Sequence, residues 1–231
     1  MPVSVNAVGA TAAGAGNITV NYPTRSNNDI LLLFVETATG QPVVTVTAGA
    51  GGGTWTKITD VSGTDSCLNI WWSRWTTGQA ASLTVTDTGD HQIGGVISLS
   101  GCITTGDPYQ GLNTSTAAST TSGVIPAVTT TYYNTEIVGA ITSGRDNNFT
   151  AEFSGYTNSN LANITERFDA GTNQGGGGGF GVITADFNDV GSTGTTTLTI
   201  ANATAYSAAA FTLIATDSLL PHTGWGLPIG N

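Results

Sequence analysis

Residues 67–75 read Cys67-Leu68-Asn69-Ile70-Trp71-Trp72-Ser73-Arg74-Trp75, and the stretch alternates by twos. Leu68, Ile70 and Trp72 fall on one side, and Asn69, Trp71, Ser73 and Trp75 on the other. That is the period of a pleated strand, whose successive side chains point to opposite faces. Upstream, the turn residues Ser26-Asn27-Asn28-Asp29 lead into the unbroken apolar run Ile30-Leu31-Leu32-Leu33-Phe34-Val35-Glu36. Such a run predicts a central strand covered on both faces.

The same rhythm continues outward. Val43-Val44-Thr45-Val46-Thr47 and Ser82-Leu83-Thr84-Val85-Thr86-Asp87 alternate, and the turn Asp87-Thr88-Gly89-Asp90 leads into His91-Gln92-Ile93-Gly94-Gly95-Val96-Ile97-Ser98-Leu99. Further strands are predicted at 124–131, 136–143, 161–168, 180–187, 194–201 and 206–216, separated by Gly, Asn, Asp and Ser clusters. Sustained helical periodicity is missing throughout. Composition agrees, because the chain is rich in threonine and holds 32 glycines, residues that weaken helices and supply pleated surfaces and turns. The 231 residues are 39% hydrophobic, enough for a core, and the expectation is an all-β protein with one sandwich-like domain over residues 1–216.

Residues 217–231 differ from that body. Pro221 and Pro228 stiffen a segment with no alternation, and Leu219, Leu220, Trp225, Leu227 and Ile229 make it too apolar for a solvated tail. An extended C-terminal arm that latches onto its own body or a neighbour is the reading.

Charge excludes several functions. The formal net charge is −10, the pI is about 4.1, and Lys57 is the lone lysine. Affinity for nucleic acid rests on Lys and Arg neutralising phosphates, so direct nucleic-acid binding is excluded, and anionic membrane surfaces with it. No segment approaches the roughly 18 consecutive apolar residues of a membrane helix. The start Met1-Pro2-Val3-Ser4-Val5 lacks the basic and apolar regions of a signal peptide, so synthesis in the cytoplasm is expected. Cys67 and Cys102 are too sparse for a disulfide framework and read as buried thiols. The sequons beginning at Asn17, Asn113, Asn148, Asn163 and Asn202 arise readily in a chain of this composition.

The constellations that could carry chemistry are thin. His91 beside Asp90 and Asp87 invites an acid–base or metal reading, but with two histidines in the chain and no CxxC spacing, a turn aspartate beside a strand-edge histidine is the plainer one. Leu99-Ser100-Gly101 and Phe153-Ser154-Gly155 lack the first glycine of a nucleophile elbow. Glu152, Glu166 and Asp169 are available as a glycosidase pair, yet Glu166 and Arg167, on opposite faces of a strand, read as cross-strand partners. Calcium through Asp87 with Asp90, or Asp186 with Asp189, matches no EF-hand loop, so no cofactor is assigned and calcium stays open. The run Gly175-Gly176-Gly177-Gly178-Gly179 has no phosphate-loop ending and reads as a flexible loop or a backbone that approaches another surface closely. Trp71 and Trp75, sharing a face with Asn69 and Ser73, read as core, as a protein interface or as a sugar-stacking surface. The chain is therefore read as a non-enzyme.

Four groups of residues carry a resemblance. They are Asn28–Glu36; Gly53-Thr54-Trp55-Thr56-Lys57-Ile58 with Leu68–Trp75; Asp87–Ile93 with Ser100-Gly101-Cys102; and Asn160–Arg167 with the glycine run. Together they resemble a recurrent pattern of tailed-bacteriophage virion proteins over approximately residues 28–215. The resemblance implies a jelly-roll-like β-sandwich of many short antiparallel strands and transfers no active-site residue. It implies a capsid decoration (cement) protein on the outer surface of the virion, made in the host cytoplasm. Its partner would be the major capsid protein or another virion protein, and it would be a homo-oligomer, with a trimer as the specific guess. The alternative is a tail fibre or spike domain that binds a host glycan through Trp71, Trp75 or loop residues.

Overall fold

The structure, a computed structural model, describes residues 2–43, 45–49, 52–86, 88–146 and 151–217. Its strands fall into two groups along the chain. The first holds β1 (Ser4–Val8), β2 (Ala12–Gly14), β3 (Ile18–Asn21), β4 (Ile30–Ala38), β5 (Val46–Ala48), β6 (Thr56–Ser62), β7 (Ser66–Arg74), β8 (Ser82–Val85) and β9 (Gln92–Ser100). The second holds β10 (Tyr109–Ile125), β11 (Thr129–Thr130), β12 (Thr135–Ser143), β13 (Phe153–Thr157), β14 (Ala162–Thr172), β15 (Gly178–Phe187), β16 (Gly191–Ser192) and β17 (Thr196–Leu213). The described strands pair antiparallel throughout, so the chain is all-β, as its period-two patterning requires.

The two groups repeat one architecture. The large sheet of the first has the order β1-β9-β4-β7-β6, and that of the second β10-β17-β12-β15-β14. The smaller sheet β3-β8-β5 has its counterpart in residues 122–125 of β10, 196–200 of β17 and β13, joined in the same order. Local detail repeats as well. Asn28 and Asn134 both adopt positive φ, 71° and 54°, just before β4 and β12. The register slips between Lys57 and Thr59 in β6 and between Glu166 and Phe168 in β14, and the residues facing the slip, Trp71 and Ile183, hold equivalent places in β7 and β15. The expected all-β sandwich class stands. The body holds two sandwich repeats, each folded from its own half of the chain.

Three apolar layers result. Leu31, Leu33, Val35, Trp71 and Val96 pack on Ile18, Val20, Leu83 and Val85 inside the first repeat. Ile137, Ile141, Ile183 and Ala208 pack on Phe153, Leu198 and Ile200 inside the second. Between the repeats the other faces of the two large sheets meet, Leu32, Phe34, Leu68, Ile70 and Ile97 against Val138, Phe180, Val182 and Phe211. The continuous apolar run at 30–36 follows from this position, since β4 is the middle strand of a sheet buried on both sides. Close approach also needs small residues: a Cβ on Gly95 would lie 2.6 Å from the Phe168 ring of the other repeat.

Several expected strands differ. The alternation at 43–47 becomes the three-residue β5, and the strands expected at 194–201 and 206–216 are one continuous β17 of 18 residues. β10, with 17 residues, was not expected, and the segment at 124–131 is divided between its end and β11. These two long strands stand among many short ones. Cys67 and Cys102 are buried free thiols.

Leu32 is fully buried in the layer between the repeats. Leu32→Ala is expected to cost about 2 to 5 kcal/mol by urea denaturation, through lost packing and the cavity left behind. A loss under about 1 kcal/mol would contradict the central place of β4.

Candidate functional site

At one end of the layer between the repeats, three ionisable residues of the first repeat lie under the glycine run of the second. Glu36 shares the face of β4 used by Leu32 and Phe34, and His91 immediately precedes β9. Pairing of β4 with β9, which sets Glu36 opposite Ile93, brings the two side chains together. Glu36 is 0% and His91 3% exposed. His91 Nδ1 donates to Asp90 Oδ2 at 2.9 Å, and Nε2 lies 3.3 Å from both Glu36 carboxylate oxygens. With a carboxylate on each nitrogen, the ring is held as an imidazolium donating from both.

The glycines form the roof. Gly176 donates its N–H to Asp90 Oδ2 at 2.9 Å. A Cβ on Gly178 would collide with both Glu36 carboxylate oxygens, and one on Gly175 with the Asp90 carbonyl. Of the two expectations for this run, close backbone approach is the one the structure displays, with Gly178 and Gly179 inside β15.

Burial pushes the Glu36 carboxyl up to about 7, against the lowering effect of the His91 hydrogen bond and charge. For His91, burial acts downward, but the hydrogen bonds and charges of Glu36 and then Asp90 outweigh it and raise the ring to about 9. Asp90 is lowered by the His91 hydrogen bond and the Gly176 N–H. The salt bridges lie within the first repeat, and the Gly176 N–H and the close-packed glycines tie the cluster to the second. Both ring nitrogens are committed and the ring is covered, so the arrangement does not present a base to a substrate. The sequence reading of a strand-edge histidine is corrected to a buried one, and Glu36, its partner, was not singled out.

The place equivalent to Glu36 in the second repeat is held by Thr142, and the place equivalent to Gly178 in the first by Ser66. Those two residues meet across the interface through hydroxyls 2.8 Å apart. Ser207 Oγ donates to the Ser66 carbonyl at 3.1 Å beside them. One side of the two-fold arrangement is therefore neutral and the other ionic.

The other sequence candidates are dispersed. Trp71 is 8% exposed in the inner layer of the first repeat, with the Lys57 ammonium 5.1 Å from its ring centroid. Trp75 is half-buried against the same layer, and the Arg25 guanidinium sits 4.9 Å from its ring and 5.0 Å from that of Tyr22. Trp71 therefore packs in the core and offers no open face for stacking a sugar, while Trp75 is partly covered. Asp169 accepts from the Glu152 and Phe153 N–H groups at 3.2 Å each, capping the start of β13. Arg167 Nε donates to Thr184 Oγ1 across the strands at 2.9 Å. Asp186 accepts from Asn163 Nδ2 at 2.6 Å, and Asp189 from the Val190 N–H. Among the described residues no group of three or more His, Cys, Asp or Glu side chains is arranged to hold a metal. Asp87 and the arm residues Leu219, Leu220, Trp225, Leu227 and Ile229 lie outside the described residues.

Comparison with family models, curated proteins and solved structures finds no match to this chain.

The folded-state values of Glu36 and His91 both lie above their ordinary ones, so the folded protein holds more protons than the unfolded chain. Their contribution to stability is fully present below the ordinary glutamate range and is lost as pH rises through about 7 and then about 9. The thermal midpoint is therefore expected to fall from pH 5 to pH 9.5, and a Glu36→Gln/His91→Gln variant to show a flatter profile. Parallel profiles would refute the assignment. Gly178→Ala is expected to destabilise by about 1 to 3 kcal/mol in urea, because the methyl group displaces a buried carboxylate.

Proposed function

We propose that this chain is a non-enzymatic structural protein of a tailed-bacteriophage virion, a decoration protein on the outer head surface that acts as a homo-oligomer and stabilises the shell by contacts with the major capsid protein. One observation carries the reading: the described chain is devoted to two sandwich repeats fused through a shared apolar layer, with its buried acid–base cluster covered by the glycines of the second repeat. Such a body suits load-bearing. It leaves the surface, with a net charge of −10, to set where the protein can sit. Packaged DNA repels that charge, so the outer face of a shell suits it better than the inner one. The resemblance carried by residues 28–215 supports the same context. On this reading the arm, residues 217–231, latches a neighbouring subunit, and no cofactor takes part.

Labelled full-length protein added to purified phage particles is expected to decorate heads in electron micrographs. Label confined to tails would instead select the fibre reading. A chain ending at residue 216 is expected to keep its thermal midpoint and lose at least about tenfold in capsid affinity, a change of about 1.4 kcal/mol. Unchanged capsid binding by the shortened chain would remove the latch.

A further inference from the structure

The large sheet of the second repeat ends in β10. One side of this 17-residue strand pairs with β17; among the described residues its other side pairs with no strand of the sheet, though residues 127–131 cover its start, where Asn113 Nδ2 donates to the Ala127 carbonyl at 2.8 Å. Sheet edges are normally guarded by charges, proline, bulges, short length or a covering segment, because a row of unpaired N–H and C=O groups is a template for another chain. The other large-sheet edges follow that rule. β6 carries Lys57 and Asp60, β14 carries Glu166, Arg167 and Asp169, and β1 is five residues long with a register break after Val5.

Tyr109–Ile125 contains no Asp, Glu, Lys, Arg or Pro. Leu112, Asn113, Thr114 and Thr116 are exposed, Leu112 at 38%. Register breaks after Gln110 and after Ala117 leave Asn113–Ala117 as a regular stretch, roughly 17 Å of strand at its usual rise. Within it the Thr114 N–H is held by the adjacent Asn113 side-chain oxygen at 2.9 Å, a local partner that another strand can replace.

Charge decides the occupant. Copies of a chain with net charge −10 repel one another over most of their surfaces, and a charge-free edge is where two copies can meet without setting like charges opposite. An edge paired with itself about a two-fold axis is also complementary by construction. We infer that the free edge of β10 is a self-association site, where Asn113–Ala117 of two copies pair antiparallel about Ser115. Thr114 of each copy then faces Thr116 of the other, and two second-repeat sheets become one continuous sheet. The contact closes after two copies, giving a dimer where the sequence suggested a trimer. The site gives the homo-oligomer of the decoration reading a surface. It is tested without capsids, so failure here leaves capsid binding to be judged by itself.

Sedimentation velocity of the full chain over a concentration series tests it. The parent protein is expected to pass reversibly from monomer to dimer. Thr114→Lys/Thr116→Lys sets like charges opposite at both ends of the pairing and is expected to weaken the dimer by about tenfold or more. Thr114→Lys/Thr116→Glu sets opposite charges there and is expected to restore it. Both side chains are exposed, so thermal midpoints should match the parent and exclude misfolding. A parent that stays monomeric overturns the inference, as does a dimer insensitive to the first variant or weakened equally by both.

Discussion

The whole molecule depends on the apolar contact between the two large sheets. Each sheet already buries one face inside its own repeat, and the second face, with Leu32, Phe34 and Ile70 on one side and Val138, Phe180 and Phe211 on the other, would meet water if the repeats separated. At about 25 cal/mol per Å² of apolar surface, side chains of this size each contribute on the order of 1.5 to 3 kcal/mol when buried. A layer built from this many of them holds the repeats together as one body. It also constrains the sequence, since a sheet covered on both faces cannot alternate, which is why β4 is apolar at every position from Ile30 to Val35.

Within that layer the polar residues appear where the apolar contact runs out, and the two ends solve the same problem differently. A buried hydroxyl needs one or two partners, and Ser66, Thr142 and Ser207 supply them to one another. A buried carboxylate costs far more unless a cation is held against it, so Glu36 needs His91, and His91 with two acceptors needs Asp90. The oxygens of Glu36 fill the space a side chain on the second repeat would take, which leaves glycine as the residue that fits at 178. An ionic cluster at one end and neutral hydroxyls at the other make the two ends of the contact chemically different despite the shared architecture.

Much of the fold was legible because burial writes a period into the chain. The alternation at 67–75 and the run at 30–36 correspond to β7 and β4, and the breaks between them to turns. The duplication was not legible, because equivalent positions share geometry more than chemistry: Leu32-Leu33-Phe34 answers to Val138-Gly139-Ala140, and Trp71-Trp72 to Ile183-Thr184. What persists are backbone-determined marks, such as the left-handed Asn28 and Asn134 and the register slips before Thr59 and Phe168. β10 escaped notice because Thr114 to Ser122 is Thr, Ser and Ala with much of its surface in water, so no apolar rhythm announces it. Of the site, the glycine run and His91 stood out, but Glu36 is 55 residues from His91 and sits at the end of an apolar run, where a long-range pairing register alone reveals it.

Duplication also explains how one fold can serve two purposes at its margins. In the first repeat the chain before β4 is broken into β1, β2 and β3, and bends around Gly9, whose N–H is bound to the Val96 carbonyl at 2.9 Å. In the second repeat the corresponding chain is the one strand β10, which bends so that Ser115 Oγ reaches the Val124 carbonyl at 3.4 Å as it passes from the large sheet to its smaller partner. The shared layer needs the inward faces of both repeats and constrains them, whereas these margins touch it through few side chains, Val5 and Tyr109 among them, and can diverge elsewhere at little cost to stability. An interrupted margin resists strand addition and a continuous one permits it. The two halves can therefore be alike where they hold each other and unlike where they meet the surroundings, and the second repeat is the half whose margin is open to a neighbour.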